Sequence, residues 1–142
     1  MDTQSILPAD LIEDYLHTNY WVESENPFIL KIGQKSPELG LLYTHFKCNS
    51  AAYLTAWNPF SQITDESRNK ELQYLLAKEI EFNSWSFIGG LGKDAKGKWP
   101  VEPSYLVFGK SRVDASALAT KYSQNGYVWC GKDAVPQLAL MR

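Results

Sequence analysis

From residue 51 to the end, the apolar pattern switches between the periods of a strand and a helix in the order strand, helix, strand, strand, helix, strand. Few arrangements accommodate that order. Ala52, Leu54 and Ala56 alternate with Tyr53, Thr55 and Trp57 over residues 51–57, so the small face of this strand is expected to lie under a helix. The helix that follows is the clearest element: Thr64 reads as its cap, Asp65 and Glu66 complement its positive end, and Leu72, Leu76 and Ile80 form its buried stripe. Residues 84–88 read as a strand, and Gly89-Gly90-Leu91-Gly92 through Gly97 as a long flexible hairpin connection to a return strand at 105–108. A helix from Ser111 or Asp114 to about residue 123, stopped by Asn125-Gly126, and strands at 127–130 and 137–141 complete the chain.

This order is the split βαβ, ferredoxin-like (βαββαβ) layout of an α+β antiparallel sheet. Right-handed crossovers place the strand near 105 between those near 54 and 86. Ahead of it, Pro8 at a first helical position predicts a helix over 8–17, with Leu11, Ile12, Tyr15 and Leu16 on one face. Extended segments at 20–22 and 28–32 flank the turn Ser24-Glu25-Asn26-Pro27, and Ser36-Pro37-Glu38 starts a helix over 37–47. The expectation is one domain over 1–142, in which residues 1–50 pack as an extension on a 51–142 core. A chain of 142 residues buries roughly two-thirds of its surface, enough for a core without staples.

The charge balance, 14 basic against 16 acidic residues, supplies no general field for nucleic acid or anionic membranes. No apolar run is long enough to span a bilayer, and Met1-Asp2-Thr3-Gln4-Ser5 lacks the marks of a secretory leader. The two cysteines, Cys48 and Cys130, stand in no redox or metal motif, so a cytoplasmic location is expected. His45 and Cys48 have ligand-like spacing, but four ligands would require the distant His17 and Cys130, and no metal is assigned. No motif names a cofactor or an oligomeric state.

The crossover argument gives one functional lead. The strands at 51–57 and 84–88 run toward the same edge, so the connection between 89 and 103 hangs where Asn58 sits, and Glu102 should face Asn58. Asn69 lies one turn before Leu72 on the buried stripe and points inward. Asn58, Ser61, Arg68, Asn69, Trp99, Glu102 and Ser104 would then line one mouth, offering amides, a guanidinium, a carboxylate and an indole. Such a mouth suits a polar or anionic small ligand such as a nucleotide, and Glu102 is its best candidate for general acid–base work. A purely structural reading makes Asn58-Pro59 a capping turn, Trp99 a lid over the core and Arg68–Glu102 a weak ion pair; the protein is then a non-catalytic interaction or regulatory module.

Two other clusters carry functional readings. The glycine run with Lys93, Lys96 and Lys98 could cradle phosphate, but it does not open a helix, and a mobile hairpin tip fits it better. Tyr53 and Trp57 could join Tyr127 and Trp129 as a stacking platform for single-stranded RNA, although the same rings serve as core beneath the N-terminal helices.

Thr55-Ala56-Trp57-Asn58-Pro59, then Ser61 and Asn69, then Trp99-x-x-Glu102-x-Ser104, and Gln124 before a short apolar strand together resemble a bacterial family catalogued as domain of unknown function 3293. The likeness runs from about Tyr20 to the end. It implies a small bacterial cytosolic protein and carries over no activity or catalytic residue.

Overall fold

The computed structural model describes residues 5–142; the expectation drawn from Met1 to Ser5 about a secretory leader falls, but for Ser5, outside them. The described residues form four helices and one seven-stranded antiparallel sheet: α1 (Ala9–His17), β1 (Asn19–Val22), β2 (Phe28–Leu30), α2 (Pro37–Phe46), β3 (Ala51–Leu54), α3 (Glu66–Phe82), β4 (Phe87–Lys93), β5 (Glu102–Phe108), α4 (Arg112–Lys121), β6 (Gly126–Cys130) and β7 (Pro136–Leu140). The strand order is β2-β1-β4-β5-β3-β6-β7. β5 therefore lies between β3 and β4, as right-handed crossovers require. The sheet is larger than the expected four strands because the β1–β2 hairpin continues it beyond β4 and β7 beyond β6. It also curls, since Gly33 N donates to Pro136 O at 2.8 Å and Ser36 N to Ala134 O at 2.9 Å, tying the segment after β2 to the opposite edge.

Caps set the helix starts. Ser36 Oγ accepts from Leu39 N at 3.2 Å with Pro37 in the first turn, and Ser111, rather than Asp114, opens α4 by accepting from Asp114 N at 3.1 Å. α3 is capped by Asp65, whose Oδ1 accepts from Arg68 N at 3.0 Å, and not by Thr64.

The two sheet faces bury separate cores. Ala52, Leu54 and Val107 of the sheet pack against Leu76 and Ile80 of α3 and Leu118 of α4, so the small face of β3 is helix-covered. On the other face Val22, Leu30, Tyr53, Leu106 and Val128 cluster with Leu39 of α2. Burying each large aliphatic side chain contributes about 1.5–3 kcal/mol, and Leu30, Leu39 and Ile80 are fully enclosed.

Three local expectations are corrected. The run Gly89-Gly90-Leu91-Gly92-Lys93 is not a flexible connection but the second half of β4, paired on both sides; Gly90 stands opposite Val22 on β1 and Ser104 on β5. A glycine is required there because a Cβ on Gly90 would collide with the Trp21 carbonyl oxygen and lie 2.6 Å from the Tyr53 hydroxyl. The Tyr53 ring reaches from β3 across Ser104 and Gly90, and its hydroxyl donates to Trp21 O at 2.7 Å.

The aromatic platform also dissolves. Tyr53 pairs with Val128 and Ala52 with Trp129, so strand parity puts Tyr127 and Trp129 on the opposite face from Tyr53. Tyr127 Oη donates to Arg112 O at 3.1 Å and Trp129 Nε1 to Lys110 O at 3.0 Å.

Finally, the strand expected over 51–57 ends at Leu54 and does not run directly into a helix. Thr55 Oγ1 donates to Pro103 O at 2.7 Å and accepts from Trp57 N at 3.0 Å, turning the chain. A single 3-10 turn, Pro59–Ser61, precedes α3, with positive φ at Asn58 (48°), Phe60 (55°) and Ser61 (57°).

Candidate functional site

The turn after β3 is fastened by a pair of amides. Asn58 N donates to Asn69 Oδ1 at 2.8 Å, and Asn69 Nδ2 returns a bond to Asn58 Oδ1 at 2.8 Å and another to Thr64 O at 3.2 Å. Thr64 N adds a second donor to Asn58 Oδ1 at 3.1 Å. These bonds engage the oxygen of Asn58 and leave its Nδ2 aimed away from α3, toward Glu102 Oε1 at 3.3 Å. Both asparagines are buried, and the network offsets the left-handed backbone of Asn58.

Glu102 opens β5 opposite Gly92, with Pro103 after it and the Ser104 hydroxyl donating back to its carbonyl at 3.2 Å. Among the described residues no cation lies within ion-pair distance of its carboxylate. Burial therefore dominates and pushes the carboxyl up to about 7, with the Asn58 amide pulling weakly the other way.

This carboxylate borders a cavity of about 110 Å³ that Asn58, Ser61, Trp99 and Ser104 also line. One wall is α1. Asp14 Oδ2 accepts from the Trp99 indole at 3.0 Å and Asp14 Oδ1 lies 3.6 Å from Lys98 Nζ, pinning the connection after β4 to the helix. The indole, with Lys98 behind it, holds the Asp14 carboxyl below its ordinary value. Tyr15 Oη lies 2.5 Å from Ser61 Oγ and accepts from Asn125 Nδ2 at 3.3 Å, while Tyr20 Oη donates to Tyr15 O at 2.7 Å. The rings of Tyr20 and Tyr53 meet edge to face with centroids 5.3 Å apart, and burial raises both hydroxyls well above the usual phenol value.

Of the seven residues expected at the mouth, five line the cavity. Asn69 sits behind them and acts through Asn58. Arg68 points away: its guanidinium lies 3.1 Å from Glu71 on the exposed side of α3, about 100° around the helix from Asn69. The start of α3 already holds the Asp65 carboxylate. Sequence reasoning missed Asp14, Tyr15, Tyr20 and Asn125 as cavity walls. Tyr15 was visible on the apolar face of α1, but nothing local says which part of the sheet that face covers.

Fold and site together define an α+β protein with a cavity of mixed polar and aromatic lining at one end of its sheet, walled on one side by its first helix. A family model described as a protein of unknown function (DUF3293) matches residues 54–126, just over half of the 142-residue chain, and the chain belongs to that family. The matched span is narrower than the likeness read from Tyr20 onward; it contains Asn58, Asn69, Trp99, Glu102 and Gln124 but not α1. No curated protein and no solved structure matches the chain. No helix of the described residues is long and apolar enough to cross a membrane.

Proposed function

We propose that the protein binds a small polar molecule in the cavity between α1, the Asn58 turn and Glu102. The observation that carries this reading is the Glu102 carboxylate, largely enclosed, bordering open space and satisfied by one neutral amide. Burying a charge without a partner is expensive, and folds keep such groups where a ligand or a reaction uses them. Its position near neutral pH also equips Glu102 to exchange a proton with whatever occupies the cavity. An anion such as a nucleotide would find no cation among the cavity's lining residues, so the polar half of the sequence expectation is the better supported.

A thermal-shift screen of polar metabolites against the native protein and Glu102→Gln tests the proposal. Stabilisation present in the first and absent in the second supports it. A screen in which both respond identically to every compound sinks it.

A second reading, a non-catalytic interaction module, is favoured by the outer face of α3, where Tyr74, Leu75 and Phe82 are exposed, Phe82 to 88%. In that case the amide network only fastens a turn, and Asn58→Ala would lose stability with no change in ligand response.

As to architecture, we read the chain as one domain whose central strands, in the order β4-β5-β3-β6 with α3 and α4 as crossovers, are ferredoxin-like. Free thiols at Cys48 and Cys130 fit a reducing, cytoplasmic setting, and the family likeness fits a bacterial one.

A further inference from the structure

The cavity's lining has a consistent electrostatic sign. Three carboxylates border it from three different segments: Asp14 on α1, Asp94 just after β4, and Glu102 on β5. Among the described residues that line it there is no lysine, arginine or histidine. The nearby cations are each engaged: Lys98 pairs with Asp14 itself, Arg142 lies 3.4 Å from Asn125 Oδ1 and 4.4 Å over the Phe60 ring, Lys93 lies over the Trp21 ring at 5.3 Å, and Arg68 is at Glu71, so among the described residues Asp94 and Glu102 have no cationic partner. Trp57, Trp99, Tyr15, Tyr20 and Tyr53 also line it, among neutral amides, hydroxyls and aliphatic side chains. Carboxylates supply ionic hydrogen-bond acceptors and ring faces attract cations, so both kinds of wall select the same charge.

Glu102 adds direction. Asn58 engages Oε1 only, and an ionised carboxylate accepts about four hydrogen bonds, so most of its capacity faces the cavity unused. A divalent metal is a poor occupant, because no three His, Cys, Asp or Glu side chains among the described residues gather closely enough to hold one. Resting on the reading of this cavity as a ligand site, we propose that its ligand is an organic cation whose ammonium, amidinium or guanidinium head docks on Glu102 in the space that Trp57 and Trp99 also line. The volume of about 110 Å³ takes such a head with a short stem, and a longer tail leaves past Trp99, which is 40% exposed.

The test uses three probes of one shape and different charge on the full chain at pH 8: benzamidine, benzamide and benzoate, with agmatine as a slender second cation. Calorimetry should give benzamidine at least tenfold tighter binding than benzamide, with benzoate silent. Glu102→Gln, which removes a buried charge and is expected to fold, should bring benzamidine down to the level of benzamide. The indole NMR signals of Trp57 and Trp99 should move on titration while those of Trp85 and Trp129 stay in place.

Equal binding of benzamidine and benzamide, a preference for benzoate, or silence from both cations overturns the cationic assignment. If the metabolite screen then yields a neutral or anionic ligand whose effect needs Glu102, the cavity reading survives and only the charge class fails. If that screen too shows no Glu102-dependent ligand, both fall.

Discussion

Glu102 Oε1 lies 3.3 Å from Asn58 Nδ2, and that amide is aimed there because Asn69 and Thr64 hold its oxygen. The carboxylate thus has a partner fixed in place but too weak to offset its burial, and its pKa moves from an ordinary 4.5 to about 7.

The consequence for stability has a definite sign. A folded-state value above the unfolded one means that the fold prefers the protonated carboxyl, so this contribution is present in full below pH 4.5 and is lost as pH rises through about 7. The full span corresponds to roughly 3 kcal/mol. Urea unfolding at pH 5 and pH 8 should show the native protein losing about 1–3 kcal/mol more than Glu102→Gln, with the variant the more stable of the two at pH 8. Parallel pH profiles would mean that the carboxyl is not perturbed.

Asn69 tests the turn rather than the cavity. Asn69→Ala leaves Asn58 N without an acceptor and takes one of two donors from Asn58 Oδ1, in a buried setting where each orphaned group costs about 1–3 kcal/mol. A loss of about 2–4 kcal/mol is expected in chemical denaturation. Asn69→Asp keeps the acceptor for Asn58 N but sets a second carboxylate oxygen against Asn58 Oδ1 and Thr64 O in a buried site, and should be no more stable than Asn69→Ala. A neutral Asn69→Ala would show that the turn is held by its backbone alone.

Gly90 and Gly89 form a matched pair on one strand. A Cβ at Gly89 meets nothing within 4 Å, whereas one at Gly90 meets the Trp21 carbonyl and the Tyr53 hydroxyl. Gly90→Ala must push β1 from β4 or displace the Tyr53 ring, and a loss of about 2–3 kcal/mol or more is expected, as for other overpacked cores. Gly89→Ala should stay within about 0.5 kcal/mol of the native protein. Comparable melting temperatures for the two variants would contradict the close passage of the Tyr53 ring over Gly90.

How far these relationships were legible in the sequence follows from the range of the signal. The stripe of α3, the crossover order and the meeting of Asn58 with Glu102 follow from periodicity and chain handedness, which act within one βαβ unit. The strand character of Gly89 to Lys93 was hidden because glycine carries no strand signal of its own; it is imposed by β1, about 70 residues earlier, and by the Tyr53 ring lying across it. The separation of Tyr53 from Tyr127 and Trp129 depends on a one-residue choice of register, and alternation within a strand does not reveal its neighbour's register. Arg68 was misplaced by proximity: one residue from Asn69 is about 100° on a helix, enough to turn it into solvent.

α1 supplies a wall of the cavity yet has no fully buried residue, and polar ties do much of the work of holding it: Tyr15 to Ser61 and Asn125, and Asp14 to Trp99 and Lys98. Elements attached by few buried contacts open locally at a small fraction of the global free energy, so the α1 amides should exchange with solvent faster than those of α3, which buries Asn69, Gln73, Leu76 and Ile80. Tyr15→Phe keeps the ring and removes the hydroxyl that meets both Ser61 and Asn125. At about 1 kcal/mol for each of the two net hydrogen bonds, it should speed exchange in α1 roughly thirtyfold while leaving the paired amides of β4 and β5 unchanged. Hydrogen–deuterium exchange resolved by peptide measures this directly. Equal acceleration across the sheet would show that α1 opens only when the whole protein unfolds, and no change anywhere would mean that the Tyr15 hydroxyl does not hold the helix over the cavity.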